Sequence, residues 1–305
     1  MVTPLNSKRF FASKVPNMKK INIITLLLAT LTITGCNTMR DNITKTINFT
    51  EVLWYAERSM TAYKTEEEIH QKFPETIHVA TVSKTDVQYF IEAFPDKNLQ
   101  VISVRGTSNF DNIEEDAEYL AQKNDKLGIY VHRGFDDDTT KVYTDILPHL
   151  NKHYKTRITG HSLGAAISTL LMMHLHQDGF TIEKSINFGQ PKVTNAKGVA
   201  QYRFLPLTRI VDKNDVVPLL PPTTLLDSLH GLYEHFGEEV VLLEDEYYAY
   251  LDQHDATHHS IGAFWKSLFD KSIEDHFIAN YVKNIQTKTN NAVQVAYSKR
   301  EEFIQ

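Results

Sequence analysis

Cysteine is almost missing from the 305-residue chain: Cys36 is the only one. That excludes an intramolecular disulfide and any cysteine-rich zinc or iron–sulfur site. Positive charge is also in short supply, with 32 Lys+Arg against 38 Asp+Glu and a formal net charge of −6. Lys8, Arg9, Lys14, Lys19 and Lys20 all precede Cys36 in a stretch without acids, so the remainder holds 27 basic against 38 acidic residues, net −11. An acidic body lacks the basic surface that neutralises phosphates, so no nucleic-acid partner is expected. There is no HExxH motif. His174-Leu175-His176 and His258-His259 are two apart or adjacent, spacings that diverge on a helix. They read as surface histidines, and neither a metal nor a cofactor is expected. Repeats, low-complexity tracts and long Pro/Gly linkers are missing too. With apolar residues at 42%, and about 46% once the 12 glycines are added, one globular domain over residues 51–290 is the simplest reading.

The N-terminus carries a distinct signal. Met18 to Cys36 reads MKKINIITLLLATLTITGC: two lysines, then a 14-residue apolar run from Ile21 to Thr34. The run is short of the ~20 residues that a membrane span needs. It fits a secretory signal over residues 1–35, with Met18 a second candidate start. Ile33-Thr34-Gly35-Cys36 resembles the bacterial lipobox, which implies a lipidated Cys36 as the first mature residue. Acyl chains would then anchor the protein, each buried CH₂ contributing ~0.8 kcal/mol. Asn37 at the next position implies sorting to the outer membrane. The expectation is a lipid-anchored protein of a bacterial cell envelope, joined to the membrane through Cys36 by a polar tether over residues 36–50.

Periodicity along the body predicts an alternation of strands and helices. Helical spacing covers Glu51–Tyr63, Asp137–Tyr154, Leu163–His176 and Phe277–Ile285. Strands are expected over 77–82, 87–94, 99–104, 156–159, 185–188, 207–211 and 238–243. This alternation predicts an α/β sheet with mostly parallel strands, flanked by helices. Residues 291–305 read as a loose polar tail.

Gly160-His161-Ser162-Leu163-Gly164 carries the chemistry. A short strand precedes it and an apolar helix with Ala165 and Ala166 follows. A G-x-S-x-G run in that context forms a sharp strand-to-helix turn with the serine at its apex. Small residues two before and two after let strand and helix approach, and the helix N-terminus points at the reacting centre. The run resembles that of the class 3 (fungal-type) lipases, an α/β-hydrolase family. Further segments are similar, in family order. They are Val104-Arg105-Gly106-Thr107, Val131-His132-Arg133-Gly134-Phe135, Asn187-Phe188-Gly189-Gln190-Pro191, Asn214-Asp215-Val216-Val217-Pro218 and Glu274-Asp275-His276. The resemblance implies an α/β-hydrolase fold, a mobile lid over Ser108–Lys126 and hydrolysis of lipid esters without a cofactor. The lid segment lacks the tryptophan common in fungal lids, which does not favour strong interfacial activation.

A serine nucleophile needs a base and a group to orient it. In α/β-hydrolases these follow the serine in the order acid, then histidine. Asp212 and Asp215 both follow the 207–211 strand, so residue order leaves both open. The family motif selects Asp215, and Asp212 reads as a solvated turn residue. Among His230, His235, His254, His258, His259 and His276, the resemblance selects His276 with His259 as its rival. The backbone N–H of Leu163 is the first oxyanion donor; by resemblance Thr107 supplies the second. Two other activities remain compatible. A phospholipase A or lysophospholipase would use the same triad. A catalytically silent envelope-binding lipoprotein would use the scaffold alone, although the complete Ser/Asp/His set argues against that.

Overall fold

The computed structural model describes residues 43–106, 120–213, 215–221, 231–256 and 274–304. The signal segment 1–35, Cys36, Thr107, most of the lid segment, Asn214, His230 and the His258-His259 pair lie outside the described residues.

The chain enters through helix α1 (Phe49–Thr61), whose Asn48 cap accepts a hydrogen bond from the Glu51 N–H at 3.1 Å. Helix α2 (Glu66–Lys72) opens on a reciprocal Thr65–Glu68 capping box. Strands β1 (Thr76–Thr81), β2 (Gln88–Phe94) and β3 (Leu99–Val104) follow. After β4 (Ala121–Asn124) and β5 (Ile129–His132) comes helix α3 (Arg133–Ile146). Next are β6 (Lys155–His161), α4 (Leu163–Gln177), β7 (Thr181–Phe188), β8 (Thr194–Asn195), α5 (Ala196–Tyr202) and β9 (Leu207–Asp212). The last third holds β10 (Tyr233–Glu234), β11 (Glu238–Leu242), β12 (Tyr247–Leu251), α6 (Ile278–Lys288) and β13 (Val293–Val295).

Among the described residues, nine strands form one sheet in the order β1-β2-β3-β6-β7-β9-β11-β12-β13. Its centre, β3-β6-β7-β9-β11, is parallel throughout, and antiparallel pairs flank it on both sides. Every residue of β3 is buried, as a central parallel strand covered on both faces requires. One side of the sheet packs against α3 and α4, through Ile102, Ile158, Val142, Ile167 and Leu170. On the other, Phe49, Val52 and Tyr55 of α1 join Tyr281 and Ile285 of α6 over Phe188. A second, four-stranded sheet has the order β10-β8-β5-β4. The expected α/β-hydrolase architecture is therefore present: a mainly parallel sheet between helical layers.

The structure departs from the sequence expectations in four places. Helix α3 ends at Ile146 rather than near Tyr154, because Pro148 has no N–H to continue the ladder and sits in a 3₁₀ turn over Leu147–His149. The C-terminal residues are not a loose tail. β13 pairs with β12, Tyr297 is buried, and Phe303 and Ile304 pack with it. The end of the expected tether is pinned to that same sheet edge. The Lys45 N–H donates to Gln294 Oε1 at 2.9 Å, and Gln294 Nε2 donates to the Ile43 carbonyl at 2.7 Å. Ala121–Asn124, expected within the lid, is a strand of the second sheet instead.

Candidate active site

Ser162 sits between β6 and α4 with φ 57° and ψ −127°, a left-handed backbone conformation that is strained for any L-residue. The glycines on either side permit it. A Cβ on Gly160 would lie 2.3 Å from the Gly164 carbonyl oxygen, and one on Gly164 would lie 2.3 Å from that of Val104. Real Cβ atoms do not approach backbone that closely, so the G-x-S-x-G spacing is a packing requirement of this turn. Leu163 is the first residue of α4, and the first-turn N–H groups of a helix have no intrahelical acceptor.

Three side chains distant in sequence converge at the elbow. Ser162 Oγ lies 2.8 Å from His276 Nε2. His276 Nδ1 lies 2.8 Å from Asp215 Oδ2. An ionised carboxylate only accepts, so Nδ1 carries the hydrogen and Nε2 faces the serine as an acceptor. The carboxylate takes two more donors: the Tyr281 hydroxyl on Oδ2 at 2.5 Å and the Val217 N–H on Oδ1 at 2.8 Å. Burial, then the charges of Asp215 and Asp212, hold the Tyr281 phenol far above its ordinary pKa, so it stays a donor. Ser162, Asp215 and His276 are each only 1% exposed, which strengthens every polar interaction among them.

Among the described residues, Asp215 and His276 are the carboxylate and imidazole brought to Ser162; His258 and His259 lie outside them. Asp212 faces Asn284 instead, whose Nδ2 donates to Oδ1 at 2.7 Å. It is not a solvated turn residue: it is 1% exposed, and burial pushes its pKa up to about 7. His235 serves the loop that follows the acid, donating from Nε2 to the Pro218 carbonyl at 2.7 Å. Buried Lys192 supports that loop as well, donating to the Leu219 and Pro221 carbonyls at 2.8 and 3.2 Å. Burial lowers the pKa of Lys192 to about 8. His174 is also buried rather than on the surface, its Nε2 3.4 Å from Asn124 Nδ2, and burial lowers its pKa to about 4.

Gly189, named within a family segment, and Tyr63 were given no role at the site by the sequence reading. Gly189 (φ 55°) lies against the His–Asp pair: a Cβ there would be 2.8 Å from His276 Cε1 and 2.9 Å from Asp215 Oδ2. The signal was a glycine directly after an apolar strand. Tyr63, at the end of α1, had no local signal, and it reaches the elbow only through the tertiary fold. Among the described residues, Asp252, His254 and Asp255 are the grouping with metal-ligand chemistry. His254 Nδ1 already meets Asp255 Oδ1 at 3.1 Å, and the group shares no residue with the triad.

The buried Ser–His–Asp chain, on a parallel sheet and at a strand–serine–helix turn, defines the α/β-hydrolase class. Residues 101–225 match the model of the class 3 lipase family. A secreted mono- and diacylglycerol lipase of Fusarium solani is 30% identical over 150 residues, 46% of this chain and 44% of that one. A lipase of Rhizomucor miehei is 32% identical over 152 residues, 45% of this chain and 40% of that one. The chain therefore spans less than half the length of these curated relatives. Solved structures agree on the fold. Lipase II of Rhizopus niveus superposes with a TM-score of 0.61 at 23% identity, covering 76% of this chain and 94% of that one. Rhizomucor miehei triacylglyceride lipase gives 0.61 at 21% identity, covering 80% and 98%.

These relatives correct one expectation. The N-terminal pattern suggested a lipid-anchored protein of a bacterial outer membrane. The relatives whose names state a location are secreted lipases of fungi, Fusarium solani and Penicillium cyclopium among them, and that localisation is overturned. No helix among the described residues is long and apolar enough to cross a membrane.

Proposed function

We propose that the protein is a serine hydrolase of lipid esters, of the acylglycerol lipase type. The observation that carries this reading is the unbroken buried chain from Ser162 Oγ through His276 to Asp215, with both links at 2.8 Å. The relatives named as mono- and diacylglycerol lipases support the substrate class.

The geometry supports acyl transfer by a Ser–His–Asp mechanism. Ser162 Oγ attacks the ester carbonyl carbon as its proton passes to His276 Nε2. Asp215 holds the ring in the tautomer that can receive the proton and stabilises the imidazolium that forms. Tyr281 and Val217 keep the carboxylate from turning away. The oxyanion accepts from the Leu163 N–H and, as the family resemblance implies, from Thr107. One such donor contributes roughly 2.7–4 kcal/mol to the transition state. The tetrahedral intermediate collapses, the alcohol leaves with the proton from His276 Nε2, and the acyl group stays on Ser162. Water gives a proton to the same nitrogen as its oxygen attacks the acyl carbonyl; this second tetrahedral intermediate collapses, the Ser162 Oγ–acyl bond breaks, Oγ takes the proton back from His276 Nε2, and the carboxylic acid departs.

The test is a rate panel on the full chain: short-chain and long-chain acylglycerols beside phospholipids and lysophospholipids. Ser162→Ala runs in parallel, and a fluorophosphonate reports nucleophile reactivity. Acylglycerol turnover and labelling, both lost in Ser162→Ala, are expected. Preference for a phospholipid would move the substrate class. Absence of both turnover and labelling would overturn the hydrolase reading in favour of a silent scaffold.

A further inference from the structure

A second imidazole lies beside the triad, and the acyl-transfer steps do not use it. His161 ends β6, is fully buried, and has its ring centroid 4.7 Å from that of His276. Both of its nitrogens are engaged. Nε2 is 2.7 Å from the backbone oxygen of His276. A carbonyl oxygen only accepts, so Nε2 carries the hydrogen. In the neutral ring Nδ1 then holds a lone pair, and the Tyr63 hydroxyl, 2.8 Å away, donates to it. The Tyr63 oxygen in turn accepts from the Gly106 N–H at 3.1 Å. One directed chain therefore runs from the end of β3 at Gly106, through Tyr63 and the elbow residue His161, to the backbone of the base. The packing leaves no slack in it. A Cβ on Gly106 would be 2.5 Å from both the Tyr63 hydroxyl and the His161 carbonyl, and 3.0 Å from Ser162 Cβ.

We propose that Tyr63 and His161 are positioning residues for the ester hydrolysis described above. Their hydrogen-bond chain holds the β3 end, the nucleophile elbow and the His276 backbone in one register. The Tyr63 hydroxyl also fills the Nδ1 lone pair, the site through which His161 could take up a proton beside His276. The inference rests on the hydrolase reading. The electrostatics agree with it: burial first, then the neighbouring His276, hold the pKa of His161 well below its ordinary value. Among the described residues, the titratable groups that face His161 include His276, Tyr63 at the end of α1, and Tyr281 of α6, whose ring centroid lies 6.0 Å away. Asp215 lies beyond His276 and Tyr281, bonded to both, and burial raises the pKa of Tyr63 against the smaller opposing effects of the Gly106 N–H and Arg105. A neutral imidazole at this place leaves His276 as the group that becomes cationic.

Tyr63→Phe removes the hydroxyl and keeps the ring. It is expected to lower kcat about 10- to 100-fold with KM within about twofold, as loss of alignment does. Without its neutral donor the Nδ1 lone pair gains proton affinity, so the acidic limb of kcat/KM moves to higher pH. A purely structural tyrosine would lower the plateau and leave that limb in place. His161→Gln removes the imidazole, so the limb should return in the double variant, whose rate loss should fall short of the product of the single losses. Unfolding curves identify any variant that fails to fold. The ¹⁵N spectrum of labelled histidine provides a readout independent of turnover: His161 is expected as the neutral Nε2–H tautomer, with its Nδ1 resonance moved in Tyr63→Phe. An Nδ1–H tautomer, an unmoved limb, or independent losses in the double variant would each overturn the proposal. A wild-type chain that cleaves no ester but shows the expected tautomer would refute the function and leave the hydrogen-bond chain standing.

Discussion

Gly189→Ala is the sharpest test of how tightly the triad is built. The added Cβ would stand 2.8 Å from His276 Cε1, 2.9 Å from His276 Nδ1 and 2.9 Å from Asp215 Oδ2. Ordinary contact begins near 3.4 Å, so the ring or the glycine backbone must give by about 0.6 Å. The ring has little freedom, because Nδ1 is held by Asp215, Nε2 by Ser162 and the backbone carbonyl by His161. The glycine has little either. Its N–H donates to the Ile210 carbonyl at 3.0 Å, and φ 55° costs an alanine about 1–2 kcal/mol by itself. Overpacking against a rigid neighbour adds about 1–3 kcal/mol. A displacement of that size would stretch the 2.8 Å Ser–His bond toward 3.4 Å. Misplacement on the scale of an ångström costs about 100-fold in rate. The expected outcome is a kcat loss of about 10- to 100-fold, a smaller change in KM, and a stability loss of roughly 2–5 kcal/mol. Steady-state kinetics on a soluble ester and urea unfolding would measure both. A variant within twofold of wild-type kcat would refute the claim that Gly189 keeps the His–Asp pair in place.

Tyr281→Phe removes one of the donors on the Asp215 carboxylate, and a loss of roughly tenfold in kcat, readable in the same assay, follows from an interaction of about 1.5 kcal/mol. Asp212→Asn tests the buried second carboxylate. Its native pKa, near 7, exceeds the unfolded value, so its contribution is fully present below about pH 4 and is lost as pH rises to 7. The variant should therefore gain stability relative to wild type at pH 8 but not at pH 4, with a ceiling of about 4 kcal/mol for a three-unit shift, and parallel melts at the two pH values would check this. Glu92→Ala strands the Arg58 guanidinium, which lies 3.4 Å from the Trp54 ring and pairs with Glu92 at 2.7 and 2.8 Å. Breaking a buried pair from one side costs about 3–5 kcal/mol, which a shifted denaturation midpoint would report. Gly164→Ala should fold poorly or not at all, judged by soluble yield, since its Cβ would meet the Val104 carbonyl at 2.3 Å.

Local signals carried much of this protein. The GHSLG run between a short strand and an apolar helix located Ser162, because the turn's steric demands are written in adjacent residues. Strand and helix alternation was enough for a parallel α/β sheet, since buried strands and amphipathic helices differ in period. Chain order and family motifs together brought the acid to Asp215 and the base to His276. What no local pattern held was proximity. Asp212 and Asp215 end the same strand and differ only in where the chain turns. That turn gives Asp215 to His276 and buries Asp212 against Asn284. Tyr63, Gly189 and Tyr281 had no site role readable from sequence, and each acquires its place because the end of α1, the end of β7 and helix α6 meet beside the elbow that follows β6. Charge and polarity also misled: residues 291–304 look solvated, yet their few apolar side chains suffice to add a strand once β12 offers an edge. Residue chemistry and spacing could name the nucleophile and its class. Only packing could decide which carboxylate, which imidazole and which hydroxyl face it, because those distances depend on elements more than 50 residues apart.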